Sequence, residues 1–151
     1  MEKTEIEEII IKSEDELNVL IERLAPLLDQ TQILTFTGQL GSGKTTCIKA
    51  LLKAVFQIEN VSSPTYSIIN IYNPQVEGRY KTIAHMDLYR LLSSDEVLDT
   101  GIEEYLNDPS CLNIIEWPAL ILPFLKSYVS VEIESSEKGR RIFIVSLVES
   151  E

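Results

Sequence analysis

An α/β fold, with a mixed sheet flanked by helices and closed by a C-terminal β-hairpin, follows from three observations. β-branched apolar runs alternate with helical apolar periodicity along the chain, a glycine-rich turn joins the first buried run to the longest periodic one, and two adjacent apolar runs end the sequence. The 151 residues are 44% hydrophobic, enough to build a core without staples, and no linker or repeat interrupts them, so one domain over 1–151 is expected.

The elements read in order as follows. Residues 8–12 form a short β-branched strand, and Ser13 with Glu16 has the spacing of a capping box that opens a helix toward Leu28, with Leu17, Leu20, Ile21, Leu24 and Leu28 in register. Residues 32–37 are a strand. A second helix runs over about 44–56, with Ile48, Leu51, Leu52 and Val55 on one face. Strands are predicted at about 66–72 and 80–86. The segment 93–108 reads as two short helical turns broken at Gly101, with Ser93 and Glu96 spaced for a second capping box. Residues 111–117 are another buried strand, Pro118 permits a short helix toward Lys126, and 128–135 with 140–149 form the hairpin. The polar stretches 73–79 and 134–140 are turns.

Charge and composition exclude several function classes. Lys plus Arg number 13 against 24 for Asp plus Glu, a formal charge of −11 that repels phosphate backbones, so unaided nucleic-acid binding is not expected and Arg79, Lys81 and Arg90 are read as solubilising charge. No run approaches the roughly 20 apolar residues that cross a bilayer, and the acidic start lacks the features of a secretory signal. A cytoplasmic protein without membrane attachment is expected. Cys47 and Cys111 lack the short spacing of a zinc or redox pair and are read as small buried hydrophobes, with a disulfide between them as the alternative.

The glycine-rich turn carries the chemistry. Gly38, Gly43, Lys44 and Thr45 satisfy G-x-x-x-x-G-K-[ST], the phosphate-binding pattern, in its required place between strand and helix, and this makes the predicted sheet one of P-loop NTPase type. Glycines let backbone N–H groups converge on anionic oxygens while the helix N-terminus adds a favourable dipole. In such a loop Lys44 brings positive charge to the β- and γ-phosphates, the Thr45 hydroxyl is placed to ligate Mg²⁺, and Thr46 is expected beside the α-phosphate. An accidental match arises on the order of once in a few hundred chains of this length.

A P-loop with Mg²⁺ draws a further group from an acid at the end of a neighbouring strand, and both Glu116 and Asp87 follow apolar runs. Glu116 ranks first because its strand is the more continuously apolar, as a central strand should be. Either acid could instead be a solvated strand-end residue. Trp117 stands evenly between ordinary packing and a wall for a nucleotide or partner. His85 is read as structural, and Ser63 and Thr65, around Pro64, as turn residues more than phosphate ligands.

Together, GQLGSGKTT (38–46), SPTY (63–66), HMDLYR (85–90), GIEEYL (101–106) and IIEWP (114–118) resemble the TsaE family, small bacterial ATPases that support synthesis of threonylcarbamoyladenosine on tRNA. The resemblance spans nearly the whole chain in order. It implies weak hydrolysis of ATP with Mg²⁺, and action with TsaB and TsaD, which bind the tRNA and modify the adenosine next to the anticodon. Carried over by motif, it implies that Leu40, Gly41, Ser42, Gly43, Lys44 and Thr45 hold phosphates, that Thr45 and Glu116 hold Mg²⁺, that Asp87 orients water or supports the metal, and that Ser13 lies near the nucleotide base. Three positions depart from the family's habit: Gln39 where Asp is frequent, Ser42 for a common Ala, and Ala119 where an acid or amide is frequent. The alternative reading is a small-molecule or nucleoside kinase, which needs a lid bearing arginines, a position for which only Arg90 offers itself.

Overall fold

The computed structural model describes residues 2–136 and 139–149. Its centre is a seven-stranded mixed sheet in the order β1-β7-β6-β2-β5-β4-β3. The strands are β1 (Glu2–Ile11), β2 (Ile33–Gly38), β3 (Ile69–Tyr72), β4 (Thr82–Asp87), β5 (Cys111–Glu116), β6 (Ser127–Ser135) and β7 (Arg141–Glu149). The α-helices among the described residues are α1 (Leu17–Leu24), α2 (Lys44–Phe56), α3 (Ser94–Asp99) and α4 (Ile102–Leu106). β5 runs parallel between β2 and β4, and β6 is parallel to β2, whereas β1, β7 and β3 enter antiparallel.

All six residues of β5 are buried, as a strand covered on both faces must be. One face packs on α1 and α2, where Leu20, Leu24, Ile48 and Leu51 meet Leu34, Phe36 and Ile114. The other buries Met86 and Ile115 with Val97, Ile102 and Ile121. The hairpin is formed by β6 and β7, part of its predicted turn at 134–140 lying outside the described residues.

Several boundaries move, each for a local reason. β1 begins at Glu2, because backbone pairing with β7 recruits an acid-rich stretch without an apolar face of its own. Its exposed glutamates also guard the sheet edge against further pairing. The capping box at Ser13 is not formed: Ser13 makes no side-chain cap bond and precedes a 3₁₀ turn, while Glu16 Oε1 accepts from Lys12 N at 3.2 Å. The helix toward Leu28 ends at Leu24 and continues as a 3₁₀ turn around Pro26. At the second box the Ser93 cap does form, with Glu96 N donating to Ser93 Oγ, while Glu96 Oε2 accepts from Leu92 N, one residue before the cap.

The strand predicted at 66–72 starts only at Ile69, since Ile68 sits at φ 71°, a conformation that β-branched residues rarely adopt. The helix predicted after Pro118 becomes two 3₁₀ turns, 118–120 and 122–124, because Pro123 lacks the N–H an α-helix needs there. α2 matches its prediction and closes on Gln57 at φ 56°, where Ile58 N reaches Leu52 O at 3.1 Å. No described helix is long and apolar enough to cross a membrane.

Both cysteines are free and fully buried, Cys47 in α2 and Cys111 at the start of β5. Burial pushes the Cys47 thiol up to about 12 and the Cys111 thiol up to about 11, so neither forms thiolate at neutral pH. A thiol-specific disulfide reagent should therefore label neither cysteine in the folded protein and both after denaturation. Rapid labelling of the native protein would contradict this burial.

Candidate functional site

β2 and α2 are joined by residues 39–43, and the turn between them requires left-handed backbone at Gly41 (φ 77°) and Gly43 (φ 102°). Gly43 also makes room for a neighbour: a Cβ there would lie 2.6 Å from Arg141 Nη1. The loop opens at the C-terminal ends of the parallel strands, where α/β sheets place their ligand crevices. Leu40, Gly41, Gly43, Lys44, Thr45 and Thr46 line one cleft, and the opposite wall brings Asp87 from β4, Glu116 from β5 and Trp117.

Register explains this convergence. Glu116 pairs with Phe36 on one side and with Asp87 on the other, so the two acids and the loop after β2 end at one level of the sheet. Thr45 Oγ1 donates to Glu116 Oε1 at 3.0 Å, and His85 Nε2 lies 2.7 Å from Glu116 Oε2. Glu116 is only 2% exposed. Asp87 Oδ1 accepts from Tyr89 N at 3.0 Å and Oδ2 from Thr65 Oγ1 at 3.4 Å.

Lys44 Nζ donates to the carbonyls of Gly38 and Gln39 at 2.7 and 2.9 Å and stands 4.2 Å from the centre of the Trp117 ring. Burial lowers its pKa from the ordinary lysine value, and the charges of Glu116 and Asp87 work against that shift. Trp117 adopts φ 55° between β5 and Pro118, and its ring lies 4.8 Å from that of Tyr89. It belongs to the cleft wall rather than to the core.

Two expected residues stand apart. Ser42 is buried beneath the loop, with Oγ 3.4 Å from Lys44 Nζ, and does not line the cleft. Ser13 lines an adjoining cavity, which it shares with Lys12, Gly43, Thr46 and Arg141. Four residues that the sequence left aside do reach the main cleft: Ser63, Thr65, Arg141 and Glu14. SPTY pointed at the first two through the family resemblance. Nothing local pointed at Arg141, whose place over the loop depends on β7 pairing with β6 and β6 with β2.

The donor set suits a hard divalent cation bound with phosphates. The 3.0 Å between Thr45 Oγ1 and Glu116 Oε1 matches the edge of an octahedron, about 2.9 Å for metal–oxygen bonds of about 2.0–2.1 Å. The described residues contain no group of three or more His, Cys, Asp or Glu side chains able to hold a metal. Thr45 and Glu116 would suit Mg²⁺, which takes one or two protein ligands and fills its sphere with water and phosphate oxygens.

The glycine geometry can be tested by stability alone. Gly43→Ala should cost on the order of 1–3 kcal/mol through its left-handed φ and the contact with Arg141, whereas Gly78→Ala, with open space around it and no positive φ, should be near neutral. Denaturant midpoints of the two variants would check this, and equal midpoints would refute it.

The family model described as threonylcarbamoyl adenosine biosynthesis protein TsaE matches residues 11–143. A tRNA threonylcarbamoyladenosine biosynthesis protein TsaE from Rickettsia conorii is 35% identical over 135 residues, 87% of this chain and 73% of its own length. The protein of the same name from Aquifex aeolicus is 37% identical over 64% of this chain and 73% of its own length. The crystal structure of Bacillus subtilis YdiB superposes with a TM-score of 0.72 over 98% of this chain and 88% of that one, at 22% identity, and so supports the fold. The chain belongs to the TsaE family of threonylcarbamoyl adenosine biosynthesis proteins.

Proposed function

We propose that this chain is a weak, Mg²⁺-dependent ATPase that serves threonylcarbamoyladenosine synthesis on tRNA, at the adenosine next to the anticodon. It acts with TsaB and TsaD and does not transfer the threonylcarbamoyl group itself. One observation carries the ATPase reading: Lys44 and Thr45 of α2, Asp87 of β4 and Glu116 of β5 line a single cleft over a glycine loop at a helix N-terminus. Membership of the family supports the pathway. The formal charge of −11 suits a protein that reaches tRNA through its partners rather than by a basic face of its own, and the cytoplasm is its proposed location.

In this reading the backbone N–H groups of the loop take the phosphate oxygens, and Thr46 lies beside the α-phosphate. Lys44 exchanges the carbonyls of Gly38 and Gln39 for the β- and γ-phosphate oxygens and opposes the charge that develops as the γ-phosphoryl group leaves. Thr45 and Glu116 would hold Mg²⁺, which when bound would neutralise negative charge on the phosphates. Asp87, fixed by Tyr89 N and the Thr65 hydroxyl, orients the attacking water. Ser13 faces the base from the adjoining cavity. Ser42 supports the loop from below, near Lys44.

Lys44→Ala should lower phosphate release on the order of 100-fold or more, and Glu116→Gln should shift the Mg²⁺ dependence of that release to higher concentration. Parental kinetics in both variants would remove the site assignment.

A reconstitution with TsaB, TsaD, a threonylcarbamoyl donor and tRNA tests the pathway role. Modification should require this chain together with ATP. Failure to associate with the two partners or to support modification would overturn that role. Transfer of labelled γ-phosphate to a nucleoside or metabolite would favour the kinase reading instead.

A further inference from the structure

Glu116 is held from two sides. Thr45 Oγ1 donates to its Oε1 at 3.0 Å, and His85 Nε2 lies 2.7 Å from its Oε2. His85 is fully buried in the middle of β4, paired with Ile114 of β5 and Asn70 of β3, and strand alternation places it on the face shared with Ile83. Its other ring nitrogen, Nδ1, is buried and has no hydrogen-bond partner among the described residues. A residue serving only to fill that volume would be better replaced by an apolar one, which leaves no polar atom unpaired. The unpaired nitrogen is tolerated, and the nitrogen that is paired meets the carboxylate of the cleft.

We propose that His85 is a positioning residue for the Mg²⁺-binding carboxylate: its Nε2–H donates to Glu116 Oε2 and holds the group with Oε1 turned toward Thr45. The inference rests on the reading of Thr45 and Glu116 as the metal-holding pair. An ionised carboxylate only accepts hydrogen bonds, so Nε2 carries the proton. Without that bond Glu116 retains one tether, at Thr45, and can rotate about its terminal torsion, which is broad and roughly two-fold. Outer partners of this kind, a donor fixing the orientation of a ligating carboxylate, typically account for 10–100-fold in metal affinity. His85 therefore acts on the affinity for the cation and on Glu116, not on the phosphate-binding loop.

The test compares binding of a fluorescent N-methylanthraniloyl ATP across a Mg²⁺ titration with its binding in EDTA, for the parent, His85→Phe and His85→Gln. The glutamine amide reaches about as far as Nε2. The phenylalanine variant should need about 10-fold more Mg²⁺ for half-maximal effect while its affinity in EDTA stays within about twofold, and the glutamine variant should recover most of the loss. Equal losses with and without Mg²⁺, no shift at all, or no rescue by glutamine would overturn the proposal.

His85→Leu replaces the phenylalanine variant if that one fails to fold, and thermal unfolding identifies such a failure. A measurement on the unaltered protein needs no variant. His85 is the only histidine in the sequence, so its long-range ¹⁵N–¹H correlations are assigned without ambiguity, and they should place a proton on Nε2. A ring protonated at Nδ1 alone would overturn the proposal. If the parent protein binds the analogue identically with and without Mg²⁺, the metal reading itself falls and the inference falls with it, an outcome distinct from the variant results.

Discussion

The parallel register of β2, β5 and β4 is the constraint on which the rest of the molecule depends. It sets Glu116 opposite Phe36 and Asp87, and it ends β2 at Gly38, so the loop and both acids meet at one edge. A slip of one residue would turn Glu116 and His85 to the other face and turn Ile115 and Met86 away from Val97 and Ile102 of α3 and α4. That slip is opposed by the core on each face: Leu112 and Ile114 on one side, Cys111 and Ile115 on the other. Packing of apolar alternates thus decides where two carboxylates stand.

The cleft concentrates charge inside a strongly acidic chain. Lys44 is nearly buried, which disfavours its ammonium, while Glu116 and Asp87 favour it, and two backbone carbonyls with the Trp117 face complete its surroundings. Arg141 adds a second cation from the distant hairpin. Buried charge must be compensated nearby, and here the compensation comes from groups that the phosphate-binding reading also requires.

The site and the fold differed in how far they could be read in advance. β5 and α2 were legible because each carries a strong apolar pattern, continuous in one and at helical spacing in the other. β1 was underestimated because an edge strand can be recruited by its partner's backbone with few apolar residues of its own. The segment at 66–72 looked uniformly strand-forming, but Ile68 turns the backbone, and the turn brings Thr65 against Asp87. His85 read as a structural residue since a lone histidine in a strand carries no local sign of what lies across the ladder.

By itself the sequence determined the α/β class, the glycine loop with Lys44 and Thr45, and the two acid-ended strands, because these depend on short-range spacing and on which residue types tolerate a buried or left-handed position. Only the tertiary structure decided the strand order, the bond from Thr45 to Glu116, the approach of His85 to that carboxylate, and the placement of Arg141 over the loop. The three side-chain approaches join residues at least 31 positions apart. Such contacts arise from strand pairing across the sheet, and no local pattern encodes which strands become neighbours.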